Sequence, residues 1–283
     1  MTETLTTTDH NRNVAGLTYV YPVISRRAGG LSIGVNFNIN NACNWRCVYC
    51  QVPNLATGSA PDMDFALLEK ELRFFLNDVL HGDFYDRFNM AAEHRAIKDI
   101  AISGNGEPTS LKQLAEAIEL IGRIATELGI LPSSKFVLIS NGSLVHLPKV
   151  QEGLKTLAHY GGEVWFKIDS ATQEGRQRIN HCSISWQHSL RNLTLSASLC
   201  LTKVQTCLFR YADIGFSDAE QAALLTLFQT IKEQTPVNSV MLYSIARESF
   251  QPEAPQLTKL SLAELNGFAE KLKALGFEVS VTI

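Results

Sequence analysis

The 283-residue sequence has no apolar run long enough to cross a bilayer, for which about 20 consecutive apolar residues are needed. It lacks the charged-then-apolar layout of a secretion signal. Met1 to Asn13 is polar and Thr-rich, so residues 1–15 read as a flexible tail on a cytoplasmic protein. Neither charge sign dominates: 25 Lys and Arg against 28 Asp and Glu give a formal net charge of −3, which argues against nucleic acid and membrane partners. A local basic rim would not show in that total. No internal repeat or low-complexity linker divides the chain, and 45% apolar residues suffice for a substantial core over 16–283 as one domain. Cysteine is scarce and uneven. Three of the six lie within Cys43–Cys50, while Cys182, Cys200 and Cys207 are scattered. That is a poor disulfide framework, and it suits a reducing compartment where clustered thiols bind metal.

What is present is an alternation of strand-like and helix-like segments. Strands are expected at 31–40, 98–103, 135–140, 163–169, 203–210, 237–245 and 277–283. Helices are expected at 64–80, 111–128, 148–158, in two pieces within 171–199, at 218–233 and at 262–275. Ser110…Gln113, Ser217…Glu220 and Ser261…Glu264 have capping-box spacing, and Gly129, Gly161 and Gly276 sit where helices should stop. Alternation of this kind implies an α/β fold of right-handed βαβ units, with a parallel sheet that is open or curled into a barrel. In either form functional groups gather at the carboxyl ends of the strands. Residues 82–96 read as an insertion, and 247–260, with Pro252 and Pro255, as an irregular loop.

The segment Cys43-Asn-Trp-Arg-Cys47-Val-Tyr-Cys50 places three thiols on one short loop in the pattern C-x3-C-x2-C. Three readings fit it. Free cysteine packs as a small hydrophobe, but Asn40, Asn41, Asn44 and Pro53 disfavour a regular apolar helix here. Structural zinc wants a closed set of four ligands, normally as two short pairs, and no second pair exists. A four-iron cluster on three thiolates keeps one iron open to bind and activate a small molecule.

The loop resembles the hallmark of the radical S-adenosylmethionine (radical SAM) superfamily, in which an aromatic residue, here Tyr49, precedes the last cysteine. The resemblance implies a partial (β/α)6 TIM-like barrel and one 4Fe-4S cluster on Cys43, Cys47 and Cys50. It further implies that SAM on the open iron is cleaved to methionine and a 5′-deoxyadenosyl radical, which abstracts hydrogen from a substrate. Ser103-Gly104-Asn105-Gly106-Glu107-Pro108-Thr109, after the second expected strand, is similar to the superfamily's Gly-Gly-Glu-Pro motif, with Asn105 in place of the first of those glycines. The implied role is contact with the SAM ammonium, for which Glu107 is a charge-assisted partner. As a bare turn, the segment lacks the third glycine of a dinucleotide fingerprint.

In Glu163–Asp169, Val164, Phe166 and Ile168 form one face, and Trp165, Lys167 and Asp169 the other. Lys167 and Asp169 are either an ion pair near a solvated strand end or, as the resemblance implies, partners of the SAM carboxylate and ribose. Ser140-Asn141-Gly142 resembles the superfamily's third-strand ending, although Asn-Gly is equally a turn pair. Asn36, Asn38 and Asn40 read as lumen ligands or edge-strand solvation, and Arg210 and Tyr243 as candidates to line the site. His181-Cys182, Cys200 and Cys207 read as structural rather than as an auxiliary cluster, and Arg26-Arg27 as a solvated turn or a phosphate contact.

The implied function is a radical SAM oxidoreductase acting on a small-molecule or polypeptide substrate, with an electron donor such as flavodoxin or ferredoxin. Its layout looks closest to the molybdenum-cofactor, glycyl-radical-activating and wyosine-type branches, so a protein glycyl residue or a tRNA base are alternative substrates. The rival is a non-catalytic binding protein stabilised by zinc or an iron–sulfur cluster.

Overall fold

The computed structural model describes residue 5 and residues 15–25, 29–212 and 216–283. One sheet dominates, with strands β1 (Val20–Ser25), β2 (Gly30–Val35), β3 (Ile97–Ile102), β4 (Lys135–Ser140), β5 (Glu163–Lys167), β6 (Leu201–Cys207), β7 (Ser239–Tyr243) and β8 (Glu278–Thr282) in sequential order. β1 runs antiparallel to β2, and every later pair is parallel. The parallel steps cross over through helices α1 (Phe65–His81), α2 (Leu114–Glu127), α3 (Pro148–His159), the pair α4 (Gln173–Asn180) and α5 (Trp186–Leu199), α6 (Asp218–Gln234) and α7 (Leu262–Ala274). The expected alternation is therefore present as β/α units from β2 to α7, closed by β8. The sheet curls far enough for Ser25 of β1 and Thr282 of β8 to line one cavity, as in a partial barrel.

Side-chain periodicity places the core. α1 buries Leu68, Leu72, Phe75, Leu76 and Val79 at helical spacing, and Asp64 caps it by accepting from the Leu67 amide. On the outer face of the sheet Phe136, Leu138, Val164 and Phe166 join the main core with Ile118, Ile121, Leu154 and Leu157 of α2 and α3. Each such side chain contributes about 1.5–3 kcal/mol on burial. The alternate residues Ala101, Val137 and Trp165 face inward and pack with Ile139 and Met241. The division of faces expected in β5 is the one observed.

Several boundaries differ from expectation. β1 is not among the expected strands, and it contains Pro22. An edge strand admits proline, and Pro22 registers with Ile33 there. The buried Glu71 anchors this strand by accepting from the Thr18 and Tyr19 amides at 2.8 and 2.7 Å. β2 stops at Val35, so 36–40 leaves the sheet. The strand expected at 203–210 breaks at Leu208. Phe209–Tyr211 pairs instead with Leu257–Lys259, inside the expected irregular loop. The insertion at 82–96 contains a short helix, Phe84–Arg87, whose buried Phe84 packs edge-on against Phe75.

Of the three capping boxes only Ser261–Glu264 is complete. Ser217 accepts from the Glu220 amide, but the Glu220 carboxylate is taken by the Ser170 hydroxyl. Ser110 caps nothing in α2, because its hydroxyl donates to the Glu107 carbonyl at 2.7 Å. Gly129, Gly161 and Gly276 follow their helices with φ of 69°, 68° and 87°. Of the tail at 1–15, Leu5 is anchored rather than free, buried with its amide donating to Phe88. Residues 1–4 and 6–14, like Arg26-Arg27, lie outside the described residues. No helix among the described residues is long and apolar enough to cross a membrane.

Candidate active site

Beyond β2 the chain folds into a compact loop that carries the three cysteines. Its base is a parallel bridge of Ala42–Cys43 with Ala56–Thr57. Asn36 and Asn38 are buried braces of this loop, neither lumen ligands nor edge solvation. The Asn36 side-chain oxygen accepts from the Asn38 and Asn105 amides, both at 3.0 Å, and the Asn38 amide group donates to the Ala42 carbonyl at 2.8 Å. Asn40 donates to the Ser59 carbonyl at 3.0 Å. The brace explains the glycines of the β3 turn. A Cβ on Gly106 would stand 1.9 Å from the Ala42 oxygen and 2.7 Å from the Asn38 amide nitrogen. Gly106→Ala must therefore push the turn off the cysteine loop. The expected outcome is a loss of about 1–3 kcal/mol of stability, read by denaturant unfolding.

Two further segments clamp the cysteine loop from outside. At the end of α4, the carbonyls of Ile179 and Asn180 accept from the Val48 and Arg46 amides at 2.8 and 3.3 Å. The Asn180 side chain donates to the Cys47 sulfur at 3.2 Å and to Asp169 at 2.8 Å. Beyond β7, Glu253 holds Arg46 through two hydrogen bonds of 2.8 and 2.7 Å, and Ser249 donates to the Val48 and Cys50 carbonyls at 2.7 and 3.0 Å.

Cys43, Cys47 and Cys50 line a cavity of about 300 Å³ at the carboxyl ends of the strands. Burial is the main cause that pushes both the Cys43 and Cys47 thiols up to about 12, with Glu107 and Asp169 respectively adding to it. A metal bound by these thiols would have to displace their protons. Among the described residues no three His, Cys, Asp or Glu groups converge as a single metal ion requires. The three thiols instead stand apart around a shared cavity.

Of the other expected site residues, Tyr49, Gly104, Gly106, Glu107, Asn141 and Lys167 reach the wall of this cavity. Lys167 donates to the Tyr243 hydroxyl at 2.7 Å and lies 5.0 and 5.3 Å from the Tyr49 and Tyr243 ring centres. Burial opposes its charge, but Asp169 at 4.0 Å and the neighbouring Tyr243 outweigh that and raise its pKa. It is a fixed cation.

Asn105, Pro108, Ser140 and Asp169 stand behind the cavity wall. Asn105 donates to Asn41 at 2.6 Å, and Pro108 opens a short 3-10 turn. Asp169, expected at a ribose, is buried beneath the cysteine loop instead. It accepts from the Tyr49 hydroxyl, the Asn180 amide group and the Cys207 backbone. Glu107 is 2% exposed and accepts from the Thr109 hydroxyl at 2.6 Å, the Thr109 amide at 3.1 Å, and the Ser140 hydroxyl and Asn141 amide at 2.7 Å each. It thereby bolts the β3 turn to the end of β4. Burial raises its pKa, against the opposing pull of these donors.

Tyr243 does line the lumen, whereas Arg210 turns outward to pair with Glu264, because residues 209–211 have left the main sheet. Cys182 lies against Arg176, Cys200 donates to the Gly162 carbonyl at 3.3 Å, and Cys207 lies inside the barrel, so they form no cluster. The sequence reading passed over Tyr21, Ser32, Asp99 and Arg247, which also line the cavity. Tyr21 carried no signal because its strand was not expected. Asp99, polar within an inward-facing strand, could have been found by the alternation argument applied to β5.

A curled β/α sheet with a thiol-lined cavity at its strand ends is the layout that the radical SAM resemblance implies. A family model of the radical SAM superfamily matches residues 37–227, and the chain belongs to that superfamily, whose members use a 4Fe-4S cluster and S-adenosylmethionine. Membership sets aside the reading as a non-catalytic binding protein. A UPF0026 protein from Helicobacter pylori strain J99 is 29% identical over 160 residues, a match that spans 56% of this chain and 44% of that protein. The chain thus matches less than half the length of this curated relative.

Among solved structures, a radical SAM methyltransferase from Sphaerobacter thermophilus superposes with a TM-score of 0.61 at 16% identity, covering 89% of this chain and 66% of that one. TYW1 with a lysine-pyruvate adduct bound gives a TM-score of 0.56 at 17% identity, covering 88% and 74% respectively. These likenesses concern the fold.

Proposed function

We propose that Cys43, Cys47 and Cys50 hold the 4Fe-4S cluster, that the Gly104–Glu107 turn and Lys167 seat SAM beside it, and that the chain takes a hydrogen atom from a substrate in the lumen. The observation that carries this reading is the arrival of the three thiols, the glycine turn and Lys167 at one cavity from separate strands. When bound, the cluster and SAM supply reductive cleavage of the sulfonium to methionine and a 5′-deoxyadenosyl radical, the electron coming from a carrier such as flavodoxin or ferredoxin.

The chain's own residues do the positioning. Gly104 and Gly106 let the turn pack directly on Asn36, Asn38 and Ala42, which sets the turn beside the cysteine loop at the cavity wall. Lys167 offers a fixed cation to the SAM carboxylate. Asn180 donates to the Cys47 sulfur, which withdraws charge from that ligand. Asp169 acts through Tyr49 and Asn180 and holds both in place. Trp165 and Ile139 supply apolar wall that keeps water from a radical.

The test is anaerobic reconstitution with iron and sulfide, then dithionite and SAM, with 5′-deoxyadenosine measured. Bound iron and slow uncoupled formation are expected. Material that binds no iron and forms no 5′-deoxyadenosine overturns the reading. Lys167→Met is expected to weaken SAM binding about 10- to 100-fold, the loss of one charge-assisted contact, while iron content stays at the wild-type level. Loss of the cluster in that variant would assign Lys167 to holding the Tyr49 loop instead.

A further inference from the structure

A second cavity of about 260 Å³ adjoins the first and shares Lys167, Arg247, Cys50 and Gly104 with it. Among the described residues its lining contains two charged side chains, Lys167 and Arg247, and no carboxylate. Arg247 is held there by the cysteine loop, because it donates to the Gln51 side-chain oxygen at 2.8 Å. The opposite wall is β6, where Gln205 is 2% exposed and its amide nitrogen has no hydrogen-bond partner. A buried donor left unsatisfied costs about 1–3 kcal/mol, so this position calls for an acceptor. With Lys167 already balanced by Asp169, Arg247 and the unmatched Gln205 donor are the groups that call for an anion, and the volume suits a small molecule.

We infer that this second cavity is the substrate subsite and that the substrate is a small organic anion, a carboxylate or a phosphate. Its oxygens accept from Gln205 and pair with Arg247, and its carbon skeleton faces the cofactor cavity across Lys167. The inference rests on the cofactor assignment proposed above, because the shared wall is what brings substrate carbon to the radical.

The test uses the reconstituted holoprotein with SAM. Glutarate and glycerol 3-phosphate are titrated by calorimetry against their neutral counterparts, pentane-1,5-diol and glycerol. The expected result is saturable binding of at least one anion, with its neutral counterpart at least about tenfold weaker. The tighter anion tells carboxylate from phosphate. Gln205→Glu, which places a like charge in the cavity, and Arg247→Gln, at a half-buried position, are each expected to weaken that anion by about tenfold or more. Equal binding of neutral and anionic probes, no saturable binding, or unchanged affinity in both variants overturns the inference. Iron content and 5′-deoxyadenosine in the same preparation report separately on the cofactor assignment, so its failure is not confused with failure of the subsite.

Discussion

Cys47→Ala is expected to form no 5′-deoxyadenosine from dithionite and SAM under conditions where the wild-type protein forms it. Two thiols cannot hold a cluster that has three protein ligands, and Cys47 is the central one of the trio. Its sulfur is also the acceptor for Asn180, so the substitution removes both an iron ligand and the contact that orients it. The fold should survive, because free cysteine packs as a small hydrophobe and the clamps on the loop do not use the Cys47 thiol: the Arg46 and Val48 amides donate to Asn180 and Ile179, the Cys50 carbonyl accepts from the Phe250 amide, and Glu253 and Ser249 hold the rest. Circular dichroism near that of the wild type, with iron and turnover lost, is the expected combination. Cys200→Ala supplies the control, since that thiol sits at the end of α5 against the Gly162 carbonyl. Equal 5′-deoxyadenosine yields from wild type and Cys47→Ala would remove the cluster assignment.

Glu107→Leu is expected to be the most destabilising substitution in the site. It leaves two buried backbone amides, of Thr109 and Asn141, without an acceptor, and two hydroxyls that must turn elsewhere. At about 1–3 kcal/mol for each orphaned amide, the loss is about 2–6 kcal/mol, against a total stability on the order of 5–15 kcal/mol for a typical domain. Glu107→Gln should recover part of this, because its one carbonyl oxygen still accepts from one amide while its NH2 faces the other. Unfolding midpoints rank wild type above Glu107→Gln above Glu107→Leu on this account. Unchanged midpoints combined with weakened SAM binding would instead assign Glu107 directly to the SAM ammonium and deny it the role of a bolt between β3 and β4.

The same contrast separates what was legible in the sequence from what was not. The thiol trio could be read because its ligand spacing is local, and the strand–helix alternation because hydrophobic period is local too. The inward set of β5 followed from the pleat. Lys167 came out at the cavity wall, but Asp169, two residues on, did not. It lies past the last residue of β5, where the pleat no longer dictates direction, and Tyr49, Asn180 and Cys207 draw it beneath the loop. Asn36 and Asn38 were misread for the same reason, since β2 ends before them. Gln205 gave no signal at all, because a glutamine in a strand is unremarked until its surroundings prove to lack an acceptor.

By itself the sequence determined the chemistry this chain can host and the order of its elements, because ligand spacing and side-chain period act over a few residues of chain. The tertiary structure decided which polar groups face the cofactor and which are consumed in holding the loops. That choice depends on partners more than a hundred residues apart, as with Asn180 on Cys47 and Glu253 on Arg46. Only the closed fold brings such groups within hydrogen-bonding distance.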